Sequence, residues 1–454
     1  MINWLYTTLN ARRIGLCLGM LLWAVGAFQS AWALPSYARQ TGDECAACHV
    51  GAYGPQLTPH GMRFKLTGYA DSNDQGIKIP LSGMVVASFE RTAKALSAKP
   101  TAHTDTNNNT GMDEASLFLA GRIAPHVGSF IQATYSGTEH RASIDNSDIR
   151  AANTFKLGDL DAIVGISLNN NPGVQDPFNT LPVWGFPYAS TELVPGYASP
   201  MLSGGLGQHV TGLTAYTMLN DSLYAEFGGY RSLSHGASIR LGVDDTGSSR
   251  VASNTYWRLA WMRNQRAYNW SVGLVGMNTG LKPDLTVSDI DRYKDIGIDA
   301  NFQYLGNRQH IVTASTSYIR ERQNLGATYA AGNSENDHNN LSRWQTTASY
   351  FYDQTWGFSS SLFRVRGSSD ALLYTPADDS GSRIGSPNTN GYILQADWTP
   401  WGKENASSTP WPNLRIGLQY TGYTKFNGAS TDYDGSGRKA RDNNTTFLFI
   451  HTSF

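Results

Sequence analysis

Residues 45–49 read Cys-Ala-Ala-Cys-His, and their types and spacing imply chemistry more directly than any other segment. Two thiols three positions apart, followed at once by an imidazole, form the C-x-x-C-H pattern of covalent c-type haem attachment. The spacing suits that task. The thiols reach the two vinyl groups of one porphyrin edge, and the next residue sets its imidazole over the iron. Cys45, Cys48 and His49 are therefore read as the binding residues of one covalent haem c, with His49 as an iron ligand; the motif occurs once. Two other chemistries use similar thiols. A thioredoxin-like pair needs a βαβ setting, which the flanking sequence lacks. A zinc site needs further Cys or His partners, and the third cysteine, Cys17, lies in a segment expected to be removed.

The second axial ligand is sought in the stretch that follows, Pro55-Gln56-Leu57-Thr58-Pro59-His60-Gly61-Met62. Met62 is the first candidate and His60 the second, with Met84 and His103 more distant. A His/Met pair raises the haem potential relative to other ligand sets. Arg39 and Lys65 are candidates to neutralise the haem propionates.

An exported haem protein needs an address, and the first residues supply one. Arg12 and Arg13 precede an apolar run over residues 14–28, and Ala31-Trp32-Ala33 follows. Charge, apolar core and small residues in that order make a secretory signal peptide over residues 1–33. The run is short for a permanent anchor, which needs about 20 apolar residues. A compact haem-bearing head is expected over residues 34–75. Domains this small seldom fold without a staple, which covalent haem or packing inside a larger body would provide.

The remainder, residues 76–454, must position that head. The whole chain has 454 residues, 46 of them Gly, with 11% aromatic and 16% charged residues. Its formal charge of −1 offers no electrostatic footprint for nucleic acid. From about residue 80 the chain alternates with period two. Ile296, Ile298, Ala300 and Phe302 alternate with Gly297, Asp299, Asn301 and Gln303. Leu414, Ile416, Leu418 and Tyr420 alternate with Arg415, Gly417, Gln419 and Thr421. Such a pattern puts one set on each face of a strand. About sixteen such segments are recognised, centred near residues 87, 119, 131, 150, 163, 213, 226, 259, 273, 300, 314, 346, 361, 395, 418 and 449. Short links, as near 220–222 and 265–267, alternate with long ones, as near 170–206 and 367–388. An even strand number with short periplasmic turns and long outer loops defines a transmembrane antiparallel β-barrel of the bacterial outer membrane. The fold class is therefore mainly β, with apolar faces toward lipid and polar faces toward the lumen. Link parity places both chain ends in the periplasm, and residues 401–412 form a longer periplasmic link than the rule predicts. Residues 445–454 form one alternating strand closing on Phe454, which resembles the assembly signal of such barrels.

The head reads Leu34-Pro35-Ser36-Tyr37-Ala38-Arg39-Gln40-Thr41-Gly42 before the haem motif, then Pro55-Gln56-Leu57-Thr58-Pro59 and Phe64-Lys65-Leu66-Thr67-Gly68-Tyr69 after it. This resembles the fused outer-membrane monohaem cytochrome–porin family of iron-oxidising bacteria. The resemblance is specific over about 36 residues and architectural over the barrel. It implies oxidation of extracellular Fe(II) by electron transfer, as in an iron:cytochrome c oxidoreductase, with a periplasmic c-type cytochrome as acceptor. Such a protein needs no acid, base or nucleophile. The head is expected in the lumen or on its periplasmic side, because tunnelling weakens steeply with distance and the apolar band is about 25 Å tall. Acidic residues near Asp284, Asp289, Asp291 and Asp295, and Asp378-Asp379, are the hard oxygen groups iron would meet. The alternative function is a solute porin whose haem head is a plug or redox sensor. A third, a peroxidase, needs an open iron position and distal acid–base groups, for which only His60 is at hand.

Overall fold

The computed structural model describes residues 35–74, 79–191, 193–243, 249–283, 288–403 and 413–454. The signal peptide expected over residues 1–33, Asp284, and most of the link over residues 401–412 lie outside the described residues. From Leu81 onward the chain forms sixteen antiparallel strands, β1 (Leu81–Thr92) to β16 (Thr445–Ser453), each paired with its sequence neighbours. The sheet closes because β16 also pairs with β1, with Val86 opposite His451. Each of the sixteen sequence-derived centres falls within one strand.

Alternation decides which face looks where. On β10 (Asp291–Tyr304), Ile296 is 50% and Ile298 49% exposed, while Asp299, Asn301 and Gln303 are buried. On β16, Leu448 and Ile450 are exposed while Phe447 and Phe449 are buried. The molecule is thus turned inside out relative to a water-soluble sandwich. Apolar side chains form its outer wall, and charges line its interior. Closure pairs the backbone of every strand on both sides, the condition for strands in hydrocarbon. Aromatic pairs gather at the short-turn end: Trp261 with Trp270, Tyr268 with Tyr304, and Trp356 with Trp398. Aromatic rings with a polar edge suit an interfacial girdle. We read the barrel as membrane-spanning.

Turns of two to five residues close one end, as at 125–126, 220–222 and 305–309, apart from the longer link over residues 399–412. Longer links rise at the other, with one exception: β3 (Val127–Ser136) and β4 (Arg141–Leu157) are joined there by only four residues. The link over residues 170–209, between β5 (Leu160–Asn169) and β6 (Val210–Leu219), folds back into the lumen. Asp176 on this link meets Arg258 of β8 (Arg250–Asn264) at 3.1 Å, and Arg258 also pairs with Asp299 at 2.7 Å. Thr180 donates to Asp299 at 2.6 Å, and the Leu202 amide donates to Asp295 at 2.7 Å.

Arg258 is fully buried between two carboxylates. Removing one partner of a buried ion pair strands the other and costs about 3–5 kcal/mol. Arg258→Ala is therefore expected to loosen the inward link and destabilise the barrel by about that amount. Thermal unfolding in detergent checks this; an unchanged midpoint would show that the triad carries no such weight.

Candidate functional site

Residues 35–74 form three short helices, α1 (Pro35–Thr41), α2 (Cys45–Cys48) and α3 (Pro59–Leu66). The single turn α2 holds both cysteines, and they are not joined by a disulfide. His49 follows in extended conformation, with φ −115° and ψ 136°, so its ring leaves the turn. Helix α3 starts where Thr58 caps it: the Thr58 hydroxyl accepts from the Gly61 amide at 3.3 Å and donates to the Ala47 carbonyl at 2.5 Å. The Thr58 amide donates to the Cys48 carbonyl at 2.9 Å. A Cβ at Gly61 would stand 2.4 Å from that carbonyl. Glycine is therefore what lets α3 lie directly on the CAAC turn.

This segment sits inside the barrel, fastened to strands around its circumference. Tyr37 donates to the Ser129 carbonyl at 2.7 Å, Tyr69 to Asp148 at 2.8 Å, and Arg150 to the Lys65 carbonyl at 3.1 Å. On other sides, Gln303 donates to the Leu57 carbonyl at 2.7 Å and Asn413 to the Ala52 carbonyl at 2.8 Å. Glu44 pairs with Arg308 of a short turn at 2.8 Å, and Arg63 with Asp221 of another at 2.9 Å. The segment therefore plugs the short-turn end.

Between segment and wall lies a cavity of about 530 Å³, within the range of small-molecule and cofactor sites. Cys45, Cys48 and His49 all line it, together with aromatic residues such as Tyr37, Phe64 and Trp184. Burial pushes the His49 ring down to about 4, against a smaller opposing effect of the Gly54 carbonyl. Its imidazole is thus neutral, the form that donates a lone pair to a metal. Burial, with Asp43 and Cys45 adding to it, pushes the Cys48 thiol up to about 12. The sulfur is a thiol rather than a thiolate. A thiol can add S–H across a vinyl double bond without an oxidant. Donor set, volume and apolar walls fit a haem.

Other sequence-predicted residues are dispersed. Met62 is fully buried on the far face of α3, packed with residues such as Leu66, Met218 and Met262, and does not line the cavity. Its placement runs against the expectation that it ligates iron: spacing put it near His49 in sequence, but α3 turns it toward Asn269 of β9 (Tyr268–Lys282). His60 is exposed and meets Asp43 at 3.0 Å. Asp43, Cys48 and His60 bring ligand atoms within 4.8 Å of one another. His103 stacks on His140 in the outer links with rings 3.6 Å apart. Arg39 donates to the Leu81 carbonyl. Lys65 lines the cavity, donating to the Val174 carbonyl and the Asn179 side chain at 2.7 Å each. Three of the acidic candidates hold loop backbone: Asp291 accepts from the Ala327 and Thr328 amides, Asp295 from the Leu202 amide, and Asp379 from the Ser97 amide. Of the distant options, Met84 does line the cavity. Sequence reasoning missed His451, Arg415 and Tyr53, which line it too. The parity of β16 was the available signal for His451.

No model of a known protein family matches the chain, and no curated protein matches it. Solved structures do. The anion-selective porin from Comamonas acidovorans aligns with TM-score 0.46 and 10% identity, covering 82% of this chain and 98% of that one. OmpF of Salmonella typhi, in a complex with daunomycin, gives 0.48 and 14% over 84% and 98%. The outer-membrane channel DcaP of Acinetobacter baumannii gives 0.45 and 10% over 85% and 99%.

Lys65 yields a pH prediction. Burial, then the nearby Arg150, push its ammonium down to about 7, with Asp148 and Asp176 opposing. Between about 7 and the ordinary value near 10.4, the unfolded chain holds a proton that the folded one has released. Stability should therefore rise with pH across that window. Unfolding midpoints at pH 7 and pH 9 should differ in that direction, and Lys65→Met should flatten the slope; a fall in stability would contradict the assignment.

Proposed function

We propose that the chain is an outer-membrane barrel that carries one covalent haem c inside its lumen and moves single electrons across the membrane. The observation that carries this reading is that Cys45, Cys48 and His49 face one aromatic-lined cavity within the barrel wall. Cys45 and Cys48 would hold the porphyrin edge through thioethers, and the neutral His49 ring would ligate the iron. Bound haem c would supply one-electron chemistry, by which an electron given up by Fe(II), leaving Fe(III), could reach a ferric periplasmic c-type cytochrome.

The chain's own residues do the positioning. The polar ties to Ser129, Asp148, Gln303 and Asn413 fix the head at the short-turn end. By the parity of the links that end faces the periplasm, so a soluble carrier would approach from below. From the outer side, the link over residues 170–209 reaches the same cavity through Trp184 and Tyr188, shortening the path for an electron. Aromatic residues such as Tyr37, Phe64 and Trp184 line part of the site, and burial and hydrogen bonding there would be the levers on reduction potential. The choice of Fe(II) as donor is supported by the head's resemblance to the cytochrome–porins of iron oxidisers.

The second reading, a solute porin with a haem-bearing plug, is favoured by the charged lumen wall. The head and the inward link reach into that lumen and narrow it. Anaerobic addition of Fe(II) to detergent-purified protein separates them. Electron transfer predicts immediate reduction of the haem spectrum and, in a planar bilayer, conductance near that of an unmodified membrane. Absence of reduction from acid to neutral pH, with ordinary porin conductance, would overturn it.

A further inference from the structure

We propose that His451, on the last strand of the barrel, is the second axial ligand of the haem iron. The proposal rests on the reading above that Cys45, Cys48 and His49 hold a haem. It adds that the wall, and not the head, supplies the opposing ligand.

Four observations converge on His451. First, β16 runs Thr445–Ser453 with its odd-numbered side chains inward: Phe447, Phe449 and Ser453 are buried, while Leu448 and Ile450 face out. His451 therefore points into the lumen, and it lines the same cavity as Cys45, Cys48 and His49. Second, its Nε2 is buried with no hydrogen-bond partner among the described residues. A buried ring nitrogen without a partner loses its hydration and gains nothing in return. Such orphans in a well-packed structure call for an explanation such as a missing ion. An iron at this site would use the lone pair. Third, the head is pinned to this very strand. Tyr53, four residues beyond His49, donates or accepts a hydrogen bond with Ser453 at 2.7 Å, and its ring meets the His451 ring edge-on at 4.6 Å. Metal-bound imidazoles need their ring orientation fixed by neighbours, and the Tyr53 ring packs against this one. Fourth, the other candidates are engaged elsewhere. Met62 lies in the packed cluster behind α3, His60 on Asp43, and His103 on His140. Met84 shares the cavity, opposite Ser453 across the β1–β16 ladder. A thioether, however, has no hydrogen-bonding obligation left unmet, so nothing marks Met84 as a ligand in the way the orphaned nitrogen marks His451.

One consequence is mechanical. A bond from iron to β16 would make the cofactor a cross-link between the plug and the seam where the barrel closes, since β16 pairs with β1.

The test uses the full-length protein purified in detergent after export and haem attachment. An alkaline pyridine spectrum first counts haem per chain; a count of zero removes the reading on which the proposal rests, and the proposal with it. With one haem present, the oxidised protein should give a low-spin electron paramagnetic resonance spectrum of two imidazole ligands. His451→Ala should convert it to high spin, and free imidazole should restore the low-spin signal. His451→Met should stay low-spin with a raised reduction potential, the direction expected of a His/Met pair. A His451→Ala protein that keeps the low-spin spectrum would overturn the proposal, with Met84→Ala then identifying the alternative ligand. A wild-type spectrum that is high-spin would overturn it as well. Should His451→Ala fail to assemble, the wild-type spectrum and His451→Met still decide the matter.

Discussion

Sixteen strands with apolar outer faces turn their polar side chains into a narrow interior, and those side chains must find partners there. A buried charge without compensation costs more than a barrel of this size has to spare. Arg150, Arg258 and Arg415 stand on inward positions of the wall, and each is paired with a carboxylate, Asp148, Asp299 and Asp397 respectively. The remaining donors and acceptors reach for whatever fills the lumen. Backbone carbonyls of the N-terminal segment and of the inward link are what they find, at Leu57, Ala52, Lys65 and Ala189. Wall and filling thus satisfy one another, and neither arrangement makes sense without the other.

That mutual dependence bears on function. A segment of some forty residues has too little core to hold a defined shape by itself. Inside the barrel it gains a rigid surround, and the turn carrying Cys45 and Cys48 is clamped from both sides, by α3 and by Arg308, which donates to the Ala46 carbonyl at 2.8 Å. A cofactor held there would be screened from bulk water yet stand between two compartments. For one-electron chemistry that placement would matter more than any acid or base.

Strand positions were legible because lipid and lumen impose opposite demands on alternate residues, so the period-two signal survives in every strand, even where single strands such as β4 are polar overall. The CAAC segment stands out in sequence because its spacing is that of haem attachment, and the structure folds it as the single turn α2. What could not be read was tertiary. Nothing local in residues 170–209 says that this link folds inward; Asp176, which also accepts from the Phe178, Thr180 and Leu181 amides, meets the wall at Arg258, 82 positions away. Met62 was drawn to His49 by proximity in sequence, but the start of α3 at Thr58 rotates it onto the opposite face. His451 was hidden for the converse reason. It lies some four hundred residues from His49, and only closure of β16 on β1 brings it to the same cavity.

The account stands on covalent haem at the head, and intact mass spectrometry of the protein isolated from membranes tests that most directly. It predicts a chain heavier by one haem, with the added mass confined after digestion to the peptide spanning residues 45–49. A bare polypeptide mass, with Cys45 and Cys48 recovered as thiols or as a disulfide, would contradict it.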